Sequence, residues 1–345
     1  MKFFLSPIPS SGDINSYLTS FHHALQQRVQ VVNERPVSRA IDLLKGSVRS
    51  NVMIVNWPED IIFLRFGFPQ LVLSALTLAL YRTFGGTIVW VCHNKDSHVK
   101  KWPWLRRLIR RFYTKVSSHI IVHASNAVQH FDEHASQKVH YFPHPAYTRE
   151  VNNSDAMACD IDVLIWGTIS RYKGLTEFVQ NYVQHACSFQ VRIVGKADPV
   201  YFDELKQLTV GLNIQVENRY LSADELNALF QRSRIILLPY IGEDTFSSGA
   251  LIHSLNANKI IVGPAAGNFI DLAKAGACLT YSNSSELFST LKSLLLEEGV
   301  YASTLFKLRR GILDYLTSNQ WDGFAGNLVE LIVLGNQKLV LEQKS

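Results

Sequence analysis

The sequence predicts an α/β protein of two Rossmann-like domains, and three observations predict it. Short β-branched or aromatic runs alternate with helix-period segments almost throughout the chain. The 345 residues, 47% of them hydrophobic, suffice for two buried cores at roughly 100–200 residues per domain. A polar, aperiodic stretch at 148–160, TREVNNSDAMACD, separates two such runs and reads as a linker.

In chain order, strands are expected at 2–5, 52–56, 87–92, 119–123 and 138–142, then at 161–166, 190–194, 213–216, 235–238, 260–262 and 278–280. Helical patterns lie between them, for example at 17–27, 104–113, 175–183, 223–230 and 249–256. Such alternation makes parallel sheets covered on both faces. The expected division is a first domain over 1–147, the linker, a second domain over 161–320, and a terminal helix at 321–345 free to pack back on the first domain.

Composition excludes several classes. The apolar content rules out a disordered chain. Cys92, Cys159, Cys187 and Cys278 are far apart with no CxxC, which argues against a disulfide framework or a zinc site and for a reducing compartment. The start, MKFFLSPIPSSGDINSYL, carries no apolar stretch long enough for a signal peptide. The most apolar run, 71–80, is too short to span a bilayer and is soon followed by Arg82. The expectation is a soluble or membrane-peripheral protein. The formal charge of +5 is too mild to indicate nucleic acid. It is also local: seven cations and no acid lie between Lys100 and Lys115, so the +5 becomes −2 for the remainder.

Ligands of open parallel sheets bind beyond the carboxyl ends of the strands, so polar residues directly after strands are the candidates. In WGTISRYKGL, Gly167 and Gly174 bound a loop that opens a helix, where Arg171 or Lys173 can neutralise a phosphate; an ordinary turn is the alternative. In LLPYIGEDTFSSGAL, the small residues Ser247, Ser248 and Gly249 let an anion approach helix N-terminal amides, unless the serines merely cap the helix. Two such loops on one sheet favour a diphosphate.

In VCHNKDSH, His93 and His98 follow a strand and can donate hydrogen bonds or transfer a proton near neutral pH. In NWPED, Glu59 and Asp60 stand where a carboxylate can act as a general base, or as the acidic first turn of a helix. In YFPHPAY the prolines restrict the backbone around His144, which on its own reads as structural. The basic stretch, KKWPWLRRLIRRFYTK at 100–115, places Leu105, Leu108, Ile109 and Phe112 at helical spacing beside arginines. It suits an interfacial helix on an anionic membrane. RNA binding and a core helix with a solvated basic face are the rivals, and no RNA-recognition motif accompanies it.

Taken in order, NWPED, VCHNKDSH, HIIVHAS, YFPHPAY, WGTISRYKGL, LLPYIGEDTFSSGAL and NKIIVGP resemble the two-Rossmann GT-B glycosyltransferases. The pattern is similar to the family 4 "group 1" enzymes that build bacterial surface polysaccharides. The resemblance covers most of the chain. It implies two domains facing across a cleft, and transfer of a sugar from a nucleotide donor (UDP- or GDP-linked) to a polyprenyl-diphosphate-linked or saccharide acceptor, with no metal or other cofactor. It places the donor on the second domain, with Lys173 at the diphosphate and the amides around Ser247–Gly249 and Asp244 nearby. It also places Tyr220 near the nucleobase and His93 against the transferred sugar.

Departures from the pattern are Thr168 where many relatives carry Arg, and Thr245 and His253 where a pair of glutamates is usual. If the enzyme inverts, Glu59, Asp60 or His98 is the base. The resemblance implies a cytoplasmic protein on the inner face of the cell membrane. A nucleotide-sugar epimerase of the same architecture and a catalytically silent partner of another transferase are the alternatives. A Rossmann dehydrogenase is disfavoured because no strand leads into GxGxxG.

Overall fold

The computed structural model describes residues 1–9, 16–94, 102–147, 159–241 and 246–342. They form two compact units, each around one six-stranded parallel sheet. The first comprises Met1–Pro145, Asp244–Ser247 and Asn319–Ser345; the second comprises Ala146–Glu243 and Ser248–Ser318. Most of the linker read from the sequence, 148–158, lies outside the described residues.

The strands of the first unit are β1 (Lys2–Ser6), β2 (Gln30–Val31), β3 (Val52–Asn56), β4 (Thr87–Cys92), β5 (His119–Val122) and β6 (Val139–Tyr141). They lie in the order β2-β1-β3-β4-β5-β6. Strand periodicity splits the core in two. Ile88, Trp90 and Cys92 of β4 face one way, packing with Leu43, Leu78 and Ile109. These come from α2 (Arg39–Arg49), α3 (Gly67–Thr83) and α4 (Pro103–Val116). Val89 and Val91 face the other way, against Phe21 of α1 (Ser16–Gln26) and Leu328 of the terminal helix (Trp321–Glu342). That terminal helix packs on α1, and Arg28 pairs with Asp322 through Nε and Nη2 at 3.0 and 2.6 Å. The short α5 (Glu133–Ser136) is capped by Asp132.

The second unit has β7 (Ile161–Trp166), β8 (Val191–Gly195), β9 (Ile214–Asn218), β10 (Ser233–Leu237), β11 (Ile260–Pro264) and β12 (Leu279–Tyr281), ordered β12-β11-β10-β7-β8-β9. Its helices are α6 (Leu175–Gln184), α7 (Pro199–Leu208), α8 (Ala223–Arg232), α9 (Gly249–Ser254), α10 (Asn268–Lys274), α11 (Ser284–Leu296) and α12 (Glu298–Ser318). The terminal helix of the first unit is then α13. The chain winds outward from β7 to β9 and returns to place β10 on the other side of β7. That reversal makes a switch point between β7 and β10. In the first unit the reversal lies between β1 and β3.

Candidate functional site

The two loops that leave the switch point of the second unit are the ones the sequence singles out. After β7 the chain turns at Gly167, φ +98°, and runs through a 3-10 turn, Arg171–Lys173, into Gly174 and α6. Gly174 sits at φ +71°, and a Cβ there would lie 2.1 Å from the Pro239 carbonyl oxygen. Only glycine lets the loops after β7 and β10 close on each other in this way.

Between them is Lys173, only 8% exposed. Its Nζ lies 5.6 Å from the centroid of the Tyr240 ring. Among the described residues no carboxylate pairs with it. Burial alone pulls its pKa down to about 8. A lysine held this way gains most from an anionic ligand.

The other predicted donor residues stand as follows. Arg171 is turned outward, bonded to Glu204 at 2.5 Å and laid over the Tyr201 ring at 4.5 Å. Ser248 is buried and caps α9: its Oγ accepts from the Leu251 amide at 3.1 Å and meets the Tyr240 hydroxyl at 3.0 Å. Its own amide donates to Asn268 Oδ1 at 3.2 Å, so the capping alternative describes its bonds. Gly249 faces open space where a Cβ would be. Ser247 belongs to the first unit and donates its amide to the His93 carbonyl at 3.2 Å. Tyr220 is exposed beyond the edge strand β9, with Lys196 Nζ 5.7 Å from its ring. Asp244, like Thr245, lies outside the described residues.

His253 packs among Tyr147, Trp166 and Phe230. A cavity of about 420 Å³ opens beside Gly174, Pro239, Tyr240, Pro264 and Tyr281. Glu177 is its one charged lining group, which makes it a poor host for a diphosphate.

In the first unit, the carboxyl ends of the strands bring together residues far apart in sequence. His93 follows β4 and is 5% exposed, stacked on Trp57 with centroids 4.2 Å apart and planes at 16°. Its Nε2 lies 3.0 Å from Asn56 Oδ1. Asn56 Nδ2 donates to the Ser6 carbonyl at 3.2 Å, so Oδ1 is the acceptor and His93 donates through Nε2.

His123 donates from Nδ1 to the Phe142 carbonyl at 2.9 Å and accepts the Tyr17 hydroxyl on Nε2 at 2.8 Å. His144 donates from Nδ1 to the Pro145 carbonyl at 2.9 Å. Burial, with the neighbouring His123 and His144, holds His93 well below the usual imidazole range. Burial also brings His123 to about 3 and His144 to about 4. All three are therefore neutral at physiological pH. His93 offers hydrogen bonds there rather than a proton or a charge.

Tyr17, His123 and Arg39 were not picked out as site residues. Arg39 donates to the Asn56 and Trp57 carbonyls, the latter at 3.0 Å, and so fixes the exit of β3, where Trp57 takes φ +45°. The available signal was positional: Asn56 ends β3, and His93 and His123 each directly follow a strand. Glu59 is partly buried in the 3-10 turn Pro58–Phe63. Burial, reinforced by Asp60 and opposed by Arg39 and Arg110, raises its pKa to about 7. Asp60 is exposed, and His98 lies outside the described residues.

No family model matches the chain, and no curated protein matches it in sequence. Solved structures match over nearly its whole length. HepE from Anabaena, in complex with UDP-glucose, has a TM-score of 0.70 at 14% identity, covering 96% of this chain and 99% of that one. The sucrose-phosphate synthase of Thermosynechococcus elongatus has a TM-score of 0.69 at 12% identity, covering 96% and 98%. A glycosyltransferase from Rickettsia africae gives 0.62 at 12%, covering 98% of each chain. At these identities the likeness establishes the fold, which is GT-B.

Proposed function

We propose that this chain is a glycosyltransferase that moves a sugar from a nucleotide-sugar, UDP- or GDP-linked, to a polyprenyl-diphosphate-linked or saccharide acceptor. The single observation that carries the reading is Lys173, a buried cation at the switch point of the second unit with no carboxylate partner among the described residues. The GT-B fold, and the UDP-glucose named with HepE, support it.

In the reaction, the bond between the anomeric carbon and the diphosphate oxygen breaks, and its electron pair leaves with the nucleoside diphosphate. Lys173 stabilises the charge that develops on that oxygen. The acceptor hydroxyl forms the new bond to carbon and gives up its proton. In an inverting reaction Glu59 is the favoured base among Glu59, Asp60 and His98, because a carboxyl near 7 is both ionised in part and basic enough. Neutral His93, fixed by Asn56, presents Nδ1 as an acceptor to a sugar hydroxyl.

The setting we propose is bacterial exopolysaccharide, capsule or O-antigen synthesis on the inner face of the cell membrane. The cations of 100–115 then meet an anionic bilayer. Among the described residues no helix is long and apolar enough to cross a membrane.

The test is release of UDP or GDP from radiolabelled nucleotide-sugars, with and without extracted polyprenyl-diphosphate acceptors. Acceptor-dependent release is expected. Conversion of the nucleotide-sugar without acceptor identifies an epimerase, and neither outcome a silent partner.

A further inference from the structure

The helical layer of the first unit carries an outward face that is more apolar than solvent warrants. On α3, the side chains turned inward include the hydroxyls of Ser74 and Thr77, while Leu73, Leu76 and Leu80 point out, Leu76 at 58% exposure. A helix of a water-exposed layer has the reverse arrangement. The face continues on both sides, because α3 packs against α2 and α4. Val48 of α2 is 80% exposed, and Trp104 and Leu108 of α4 are exposed as well.

Charge on this layer is of one sign. The only acid on α2, α3 or α4 is Asp42, and it is buried. Lys45, Arg82, Arg107, Arg111 and Lys115 are all exposed. The nearest exposed acids in sequence are Asp60, in the turn before α3, and Glu34, which pairs with Arg49. Beside α4 a cavity of about 430 Å³ is lined by Arg110, Arg111, Lys115 and Lys138, with Asp132 as its one acid. The carboxylate of Asp132 is already engaged, accepting the Ala135 amide at 2.8 Å.

We infer that the outer face of α2, α3 and α4 seats the protein in the interface of an anionic bilayer, with the leucines of α3 inserted among acyl chains and the α4 cavity holding a lipid phosphate. Charge complementarity selects this occupant. An apolar face whose three helices expose no acid, rimmed by lysine and arginine, matches anionic headgroups over acyl chains, whereas a second copy of the same face would set cation against cation. The inference deepens the membrane part of the proposed function and rests on it. It differs in assigning the hold to α2 and α3 as well as to the charges of α4.

The experiment is co-sedimentation with phosphatidylglycerol–phosphatidylcholine vesicles in about 0.15 M and about 1 M NaCl, where the Debye length falls to roughly 3 Å. The wild type is expected to bind, and part of it to stay bound at high salt. The double variant Leu73→Gln/Leu76→Gln is expected to partition at least tenfold less and to lose the salt-resistant fraction, with Tm unchanged. Arg107→Gln/Arg111→Gln is expected to weaken binding only at low salt, and millimolar inorganic phosphate to leave the wild type bound.

Unchanged binding of the leucine variant overturns the inference in favour of adsorption by α4 charge alone. Displacement by phosphate marks the cavity as a site for a free anion. A vesicle-free dimer that the leucine variant abolishes makes a second copy the occupant, and also overturns it. Transfer to a soluble saccharide acceptor reads the catalytic proposal separately, because these surface variants leave it untouched.

Discussion

Lys173 holds its Nζ 5.6 Å from the centroid of the Tyr240 ring, facing an aromatic surface where a buried lysine ordinarily finds a carboxylate. The pKa of about 8 that results has a definite consequence for the unliganded protein. Between about pH 8 and the ordinary lysine value of 10.5, the unfolded chain binds the proton that the folded chain has lost. Stability therefore rises with pH across that window. Lys173→Met is expected to remove this rise and to raise Tm at pH 7. Thermal unfolding from pH 7 to 10.5 measures it, and equal pH slopes for the two proteins would show that Lys173 is not desolvated.

Gly174 sets the geometry around that lysine. Its φ of +71° and the 2.1 Å approach to the Pro239 carbonyl leave no room for a methyl group. Gly174→Ala is expected to destabilise the second unit by about 1–3 kcal/mol and to weaken nucleotide binding through displacement of the loop. Urea unfolding followed in both unliganded and liganded protein tests this. Gly211, at φ +78° with nothing within 4 Å, is the control in which only the backbone strain is expected to register.

The His93–Asn56 bond makes a separate prediction. Asn56→Leu takes the acceptor from a buried imidazole N–H and costs about 1–3 kcal/mol in urea unfolding. Asn56→Asp instead places a carboxylate at 3.0 Å and should raise the His93 pKa toward neutrality. An NMR titration of the imidazole detects that rise. No movement would mean that His93 takes its hydrogen bond elsewhere.

Glu59 and the histidines pull the pH dependence of stability in opposite directions over one window. With Glu59 near 7 in the folded state and 4.5 unfolded, the folded chain holds the extra proton, and this contribution falls as pH rises from 4.5 to 7. His123, near 3, and His144, near 4, stay neutral when folded, so the unfolded chain takes up their protons below 6.5 and stability falls as pH drops. Glu59→Gln is expected to leave only the histidine limb, steepening the loss of Tm between pH 7 and 4.5. If Glu59 is the base, the same variant also removes a rise in turnover with an apparent pKa near 7. Parallel Tm curves would place the Glu59 carboxyl in solvent.

The strands were legible where they are apolar and β-branched: β3, β4 and β7 fall at the residues their composition indicates. The two-residue edge strand β2 was not, because Gln30–Val31 is partly solvated and carries no period. Glycine-bounded loops after β7 identified the neighbourhood of Lys173, but not which cation is free for a ligand. That depends on Glu204, 33 residues beyond Arg171, which engages Arg171. Likewise Tyr17 and His123 are 106 residues apart, and only the parallel order of the sheet brings them to 2.8 Å. In the sequence the outward leucines of α3 stand out only as an apolar run too short to span a bilayer. The more polar face of α3, with Ser74 and Thr77, is the covered one, so its residue pattern alone points to the wrong face.

The central claim, that Lys173 receives the diphosphate of a nucleotide-sugar, is tested most directly by isothermal titration of UDP, GDP and their sugars into the wild type and Lys173→Met. One nucleotide class is expected to bind the wild type, with affinity falling above about pH 8 as the lysine deprotonates. The variant is expected to bind it about tenfold to a hundredfold more weakly, the range of one charge-assisted hydrogen bond. Equal affinity of the two proteins at pH 7 would contradict the account.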